Sequence, residues 1–223
     1  MGERETVYDR TVRAYLDQLR DVSLEAAART LGGVFQDRIV ILPFFGEEYR
    51  VSVERITGPS GKQPTHDICV ILCKYLLLCP ETPPQKTDWV SFRDFKDSTP
   101  LITYFRHDVE HAIASAFSGK PDALNRASRV VGGEGPALEV SCDVAAQFQA
   151  LPRIPVILLF RDADEEFAAN CTVLFESRAE SYLDAECLAM VGGQLSYRLQ
   201  TCEKPLGPVQ SFPGAADDEE GRV

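Results

Sequence analysis

Val12, Tyr15, Leu16, Leu19 and Val22 recur at three- and four-residue steps, which predicts an amphipathic first helix running from Val7 to near Asp21. Ser23 is placed to cap a second, short helix, and Gly32-Gly33 is placed to stop it. The period then falls to two. Ile39–Phe44 and residues 49–53, the latter alternating Tyr49, Val51 and Val53, flank Gly46-Glu47 and predict an antiparallel hairpin, with Pro43 near an edge or strand end. A strongly apolar helix opens at Thr65 or Asp67 and closes at Cys79-Pro80; Pro80, Pro83 and Pro84 then stiffen a connector into an extended Trp89-Val90-Ser91-Phe92. Thr99-Pro100 begins another helix, whose buried stripe on α-helical spacing is Leu101, Phe105, Val109, Ala112 and Ala116.

A short helix over residues 123–131 precedes Gly132-Gly133, and from Leu138 the apolar positions alternate through Val140, Cys142, Val144, Ala146 and Phe148, a strand pattern. Residues 156–160 form a continuous apolar run, read as a strand covered on both faces, and 171–175 return as its partner across the polar tip 161–166. Asp184 caps a last helix that turns Leu188, Val191, Leu195 and Leu199 to the core. Hairpins interleaved irregularly with helices give an α+β class: one antiparallel sheet of about four to six strands against helices, in a single domain over residues 1–202. The remainder, 203–223, carries Pro205, Pro208, Pro213 and the acidic run 217–220, and is expected to be a disordered tail.

Composition narrows the function classes. A formal net charge of −11, with no basic run, opposes phosphate attraction, so nucleic acid and anionic membranes are not expected partners. The charged N-terminus lacks a secretory pattern, and the most apolar run, 68–79, is about half the ~20 residues that cross a bilayer, so a cytoplasmic protein is expected. Its seven cysteines then read as reduced core thiols. There is no C-x-x-C pair, and Cys69 and Cys73 merely share a helix face.

His107-Asp108-Val109-Glu110-His111 is an H-x-x-E-H pattern, in which two imidazoles four residues apart hold a zinc ion and the glutamate polarises its water. Glu186 is the formal candidate for a further ligand, which makes a metal-dependent hydrolase one alternative reading. The other is a small-ligand binding module between the sheet and the Trp89 loop. Gly58-Pro59-Ser60-Gly61-Lys62 fails as a phosphate loop, because Ile56 stands where its first glycine belongs and Gln63 replaces the hydroxyl residue. Asp162, Asp164, Glu165 and Glu166 crowd a hairpin tip, and Arg153 is a cation in apolar company that calls for a carboxylate or an anion. With three histidines, no catalytic triad can be built with any force, and no cofactor is implied.

Three stretches carry a family likeness: Trp89-Val90-Ser91-Phe92-Arg93-Asp94-Phe95, then Leu151-Pro152-Arg153-Ile154-Pro155-Val156, then Asp164-Glu165-Glu166-Phe167-Ala168-Ala169 leading to Val173-Leu174-Phe175-Glu176 and Tyr182-Leu183. From about Thr6 to Gln200 the chain resembles the domain of unknown function 3786, a bacterial and archaeal family found in anaerobes, with Ala168 where proline is expected. The resemblance implies anaerobic redox or one-carbon metabolism, since family members are sometimes joined to an iron–sulfur module; this chain has no cysteine run for such a cluster. It supplies no catalytic residues. The resulting expectation is an accessory or interaction protein acting with an iron–sulfur or corrinoid partner, with Arg93, Arg153, Asp164, Glu165 and Glu166 as its recognition surface.

Overall fold

A computed structural model describes residues 7–85, 87–138 and 140–203. The predicted acidic tail therefore lies outside the described residues, apart from Glu203, which ends the last helix. The α+β class and the antiparallel hairpins are present, and the strands divide into two sheets of four. In the first, β1 (Val34–Gln36), β2 (Ile39–Phe44), β3 (Glu47–Val51) and β4 (Ile56–Thr57) lie side by side in chain order. The second runs in the order β5-β8-β7-β6, from β5 (Trp89–Ser91), β6 (Val144–Leu151), β7 (Ile154–Arg161) and β8 (Asn170–Glu176). The helices are α1 (Val7–Gln18), α2 (Leu24–Leu31), α3 (His66–Leu77), α4 (residues 102–117), α5 (Pro121–Val130) and α6 (Ala185–Glu203). None of them is long and apolar enough to cross a membrane.

The predicted punctuation holds at the helix ends. Ser23 Oγ accepts from the Ala26 N–H, Gly32 closes α2 in the left-handed region at φ 82°, and Asp184 accepts from the Cys187 N–H at 3.0 Å. β7 is buried on both faces, as its unbroken apolar run requires. The alternation from Leu138, by contrast, becomes strand only at Val144; Leu138 and Val140 are exposed.

α4 departs from its predicted face. Ile102–Tyr104 and Ala112–Phe117 are α-helical, but Phe105–His111 between them is π-helical. Its buried side chains are Phe105, Val109, Ile113, Ala114 and Phe117, so beyond the π segment the core face falls at 113 and 117 instead of the predicted 112 and 116. Steps of four overshoot the 3.6-residue α turn, and the wider i→i+5 turn absorbs the excess residue, keeping Phe105, Val109, Ile113 and Phe117 on the core. The same face meets α6 at Gly192, where a Cβ would come within 2.4 Å of the Phe105 ring.

The two sheets meet at the tip of the β2–β3 hairpin. Phe45 sits there in the left-handed region at φ 47°, and its N–H donates to the Ala150 carbonyl of β6 at 2.9 Å. Its ring packs edge-on against Phe44 and Phe148, with the Arg198 guanidinium 5.5 Å above it. Arg198, arriving from α6, also donates to Glu47 at 2.6 Å and to the Tyr49 hydroxyl at 3.2 Å.

At the opposite end of α6, Asp184 receives the Lys74 ammonium at 3.1 Å. Burial opposes its charge, but the Cys187 N–H and Lys74 prevail and hold the carboxyl below its ordinary value. A depressed carboxylate contributes stability above the unfolded value of about 3.9 and loses it as pH falls through the folded one. Asp184→Asn should therefore lower stability at neutral pH and flatten the acid limb of a plot of urea midpoint against pH. A limb as steep as that of the wild type would refute this assignment.

Candidate functional site

β5 is short: its last pair is Ser91 with Leu174, so residues 170–173 of β8 extend beyond it with no strand beside them on that side among the described residues. α4 lies along this uncovered edge. Between them runs a groove of about 490 Å³, lined by Arg106, His107, Glu110 and His111 from α4 and by Asn170 and Cys171 from β8, among others. Residues 103, 106, 107, 110, 111 and 114 all line it, so the π segment supplies the centre of one continuous helix face. π-helical turns occur often at functional sites.

Glu110 stands in for the missing strand, its carboxylate accepting from the Val173 N–H at 3.0 Å. Burial pushes this carboxyl above its ordinary value, against the pull of the Val173 N–H and of the Arg106 and Arg93 guanidiniums. Cys171 is buried beneath it; desolvation, with the Glu110 charge adding, raises the thiol far above its ordinary value and disfavours the thiolate a nucleophile needs. His107 and His111 are exposed, with ring centroids 5.8 Å apart; His107 Nδ1 faces Asp108 at 3.6 Å, and His111 Nε2 lies 3.3 Å from Ser115 Oγ.

The metal reading of this segment does not assemble. Among the described residues no three His, Cys, Asp or Glu side chains are grouped to hold an ion, so Glu186, exposed in the first turn of α6, does not complete a site with His107, Glu110 and His111. Glu110 instead caps the sheet edge with one of its carboxylate oxygens.

The expected recognition residues separate. Arg93 is 75% exposed and acts on Glu110 from the end of β5, beside the groove. Asp164 is committed to its own loop, where the Glu166 and Phe167 N–H groups bond its Oδ1 at 2.9 and 2.7 Å and hold its carboxyl below the ordinary value. Asp162 likewise accepts from the Gly119 N–H at 2.7 Å, tying the tip to the end of α4. Glu165 and Glu166 stay exposed on the loop that leads into the groove at Ala169 and Asn170. Arg153 lies elsewhere, and its expected carboxylate partner is replaced by a carbonyl: Nε donates to Thr30 O at the end of α2 at 3.0 Å. Its backbone N–H donates to the Tyr75 hydroxyl, which in turn donates to Leu31 O.

Sequence reasoning passed over Arg106, Asn170 and Cys171. Arg106 is adjacent to the H-x-x-E-H pattern, but only the packing of α4 on β8 turns it into a groove residue. The fold and groove together define an α+β domain that presents a polar cleft between a π-bulged helix and a sheet edge.

The chain belongs to the domain of unknown function 3786 (DUF3786) family, whose model matches residues 23–198, from the α2 cap to Arg198 and across both sheets. Neither a search of curated proteins nor one of solved structures found a match.

Proposed function

We propose that the protein is a cytoplasmic accessory or interaction protein of anaerobic redox or one-carbon metabolism, which engages an iron–sulfur or corrinoid partner through the α4–β8 groove. The observation that supports this reading is the character of the groove. It brings together exposed Arg106, His107 and His111 around a carboxylate that caps the sheet edge, beside a thiol that burial keeps protonated. Such a set offers charged and polar groups for recognition, and its thiol is disfavoured as a nucleophile. The loop beside it adds Glu165, Glu166 and Phe167, the last 69% exposed, which is the aromatic-plus-charge composition of a contact surface. The metabolic setting in this reading comes from the resemblance noted in the sequence.

The test is affinity capture from native anaerobic extract with the full-length protein, run beside an Arg106→Glu/His111→Ala variant of equal thermal stability. The wild type should recover an iron–sulfur or corrinoid protein, and the variant should recover about tenfold less or lower still. Equal recovery by both, or recovery of no redox or one-carbon protein, would overturn the proposal.

A further inference from the structure

Away from the groove, four segments converge on a polar junction inside otherwise apolar packing: the end of α2, the second half of α3, the β6–β7 turn and the short 3-10 helix Ser177–Ser181 after β8. Two arginines reach it. Arg153 is half-buried and bonded to Thr30 O, and no carboxylate pairs with it among the described residues. Arg178 is held by Glu176, with side chains 23% and 11% exposed respectively. Two cations against one anion leave an uncompensated positive charge in a poorly hydrated place.

Tyr182 follows Arg178 by four residues and faces Tyr75, whose hydroxyl accepts from the Arg153 N–H. It is fully buried, its ring centroid is 6.2 Å from that of Tyr75, and the charges of Arg178, Arg153 and Glu176 all act on its hydroxyl. Among the described residues that hydroxyl has no hydrogen-bond partner. The neighbouring Tyr75 hydroxyl, by contrast, is fully engaged, since it both donates to Leu31 O and accepts from the Arg153 N–H, each at 3.0 Å. A buried hydroxyl left unbonded costs stability, so an orphan beside an unpaired guanidinium calls for an occupant that accepts hydrogen bonds and carries negative charge.

We propose that this junction binds a small oxyanion group, a carboxylate or a phosphate, between Arg153 and Arg178, with the Tyr182 hydroxyl donating to it. The partial exposure of both arginines provides the approach from solvent, the sealed Tyr182 hydroxyl is reached when the Arg178 side chain swings aside, and the planar guanidinium suits either anion. Glu176 orients Arg178 and, by offsetting one of the two cations, limits the site to a small anionic charge. This site is separate from the α4–β8 groove, so it stands or falls independently of the proposed partner.

Isothermal titration of the full-length protein with inorganic phosphate, and separately with acetate, tests it. Saturable binding of at least one anion is expected, and which of them binds identifies the source. Tyr182→Phe keeps the buried ring and removes only the hydroxyl, so it should retain the fold while weakening binding about tenfold or more; Arg178→Gln should weaken it similarly. Absence of saturable binding for both anions would overturn the proposal, as would wild-type affinity in Tyr182→Phe and Arg178→Gln.

Discussion

Phe105→Ala is expected to destabilise the protein by about 3–5 kcal/mol, because it empties a tightly packed point between α4, α6 and the second sheet. The Phe105 ring stacks on Phe92 at 4.3 Å with 6° between planes, and its centroid lies 6.0 Å from that of Phe175. A companion variant gives the prediction a sign that simple loss of stability lacks. Gly192→Ala alone should overpack the crossing and cost about 1–3 kcal/mol, since its Cβ would lie 2.4 Å from Phe105 Cε2. In a Phe105→Ala background the same change should stabilise, because the clash is gone and alanine exceeds glycine as a helix former by about 1 kcal/mol. Urea titrations followed by circular dichroism and by the fluorescence of the single tryptophan, Trp89, measure all four proteins. If Gly192→Ala has the same effect in both backgrounds, the ring does not set the helix spacing.

The second large effect lies at Phe45, where two opposing contributions meet. Truncation to alanine loses the ring packed on Phe44 and Phe148 beneath Arg198 and should cost about 3–5 kcal/mol. Yet φ at this residue is 47°, and for an L-residue that conformation costs about 1–2 kcal/mol. Phe45→Gly removes the same ring and also the strain, so it should be less destabilising than Phe45→Ala, the reverse of the usual order in a regular element. The difference in unfolding midpoint decides the matter. Glycine proving as harmful as alanine, or more so, would mean that the backbone is not held in that conformation in solution.

Strain at Phe45 and the π segment have a common origin in packing between elements far apart in the chain. A bulky residue with positive φ at a hairpin tip is not a choice local propensity makes; it is held because the ring finds β6 and because Arg198, 151 residues beyond Glu47, closes over it. The hairpin was therefore legible at Gly46-Glu47, but its role in joining two sheets was not. The groove was half legible in the same way. The H-x-x-E-H spacing drew attention to the correct helix, while the partner that changes the role of Glu110 is Val173, 63 residues later on a strand edge that ends only because β5 is short.

The order of apolar and polar positions along the chain was enough to determine the elements that need only local rules: the period-two hairpins, the unbroken run of β7, the Ser23 and Asp184 caps and the core stripe of α6. These features depend on neighbours a few residues away, so one dimension contains them. Tertiary structure alone decided that the strands form two sheets, that α4 widens by one residue, that Arg153 caps α2 across 123 residues, and that the buried Tyr182 hydroxyl has no partner among the described residues. Each of those depends on which surfaces come together when apolar area leaves water, a property of the assembled core that no stretch of sequence carries within itself.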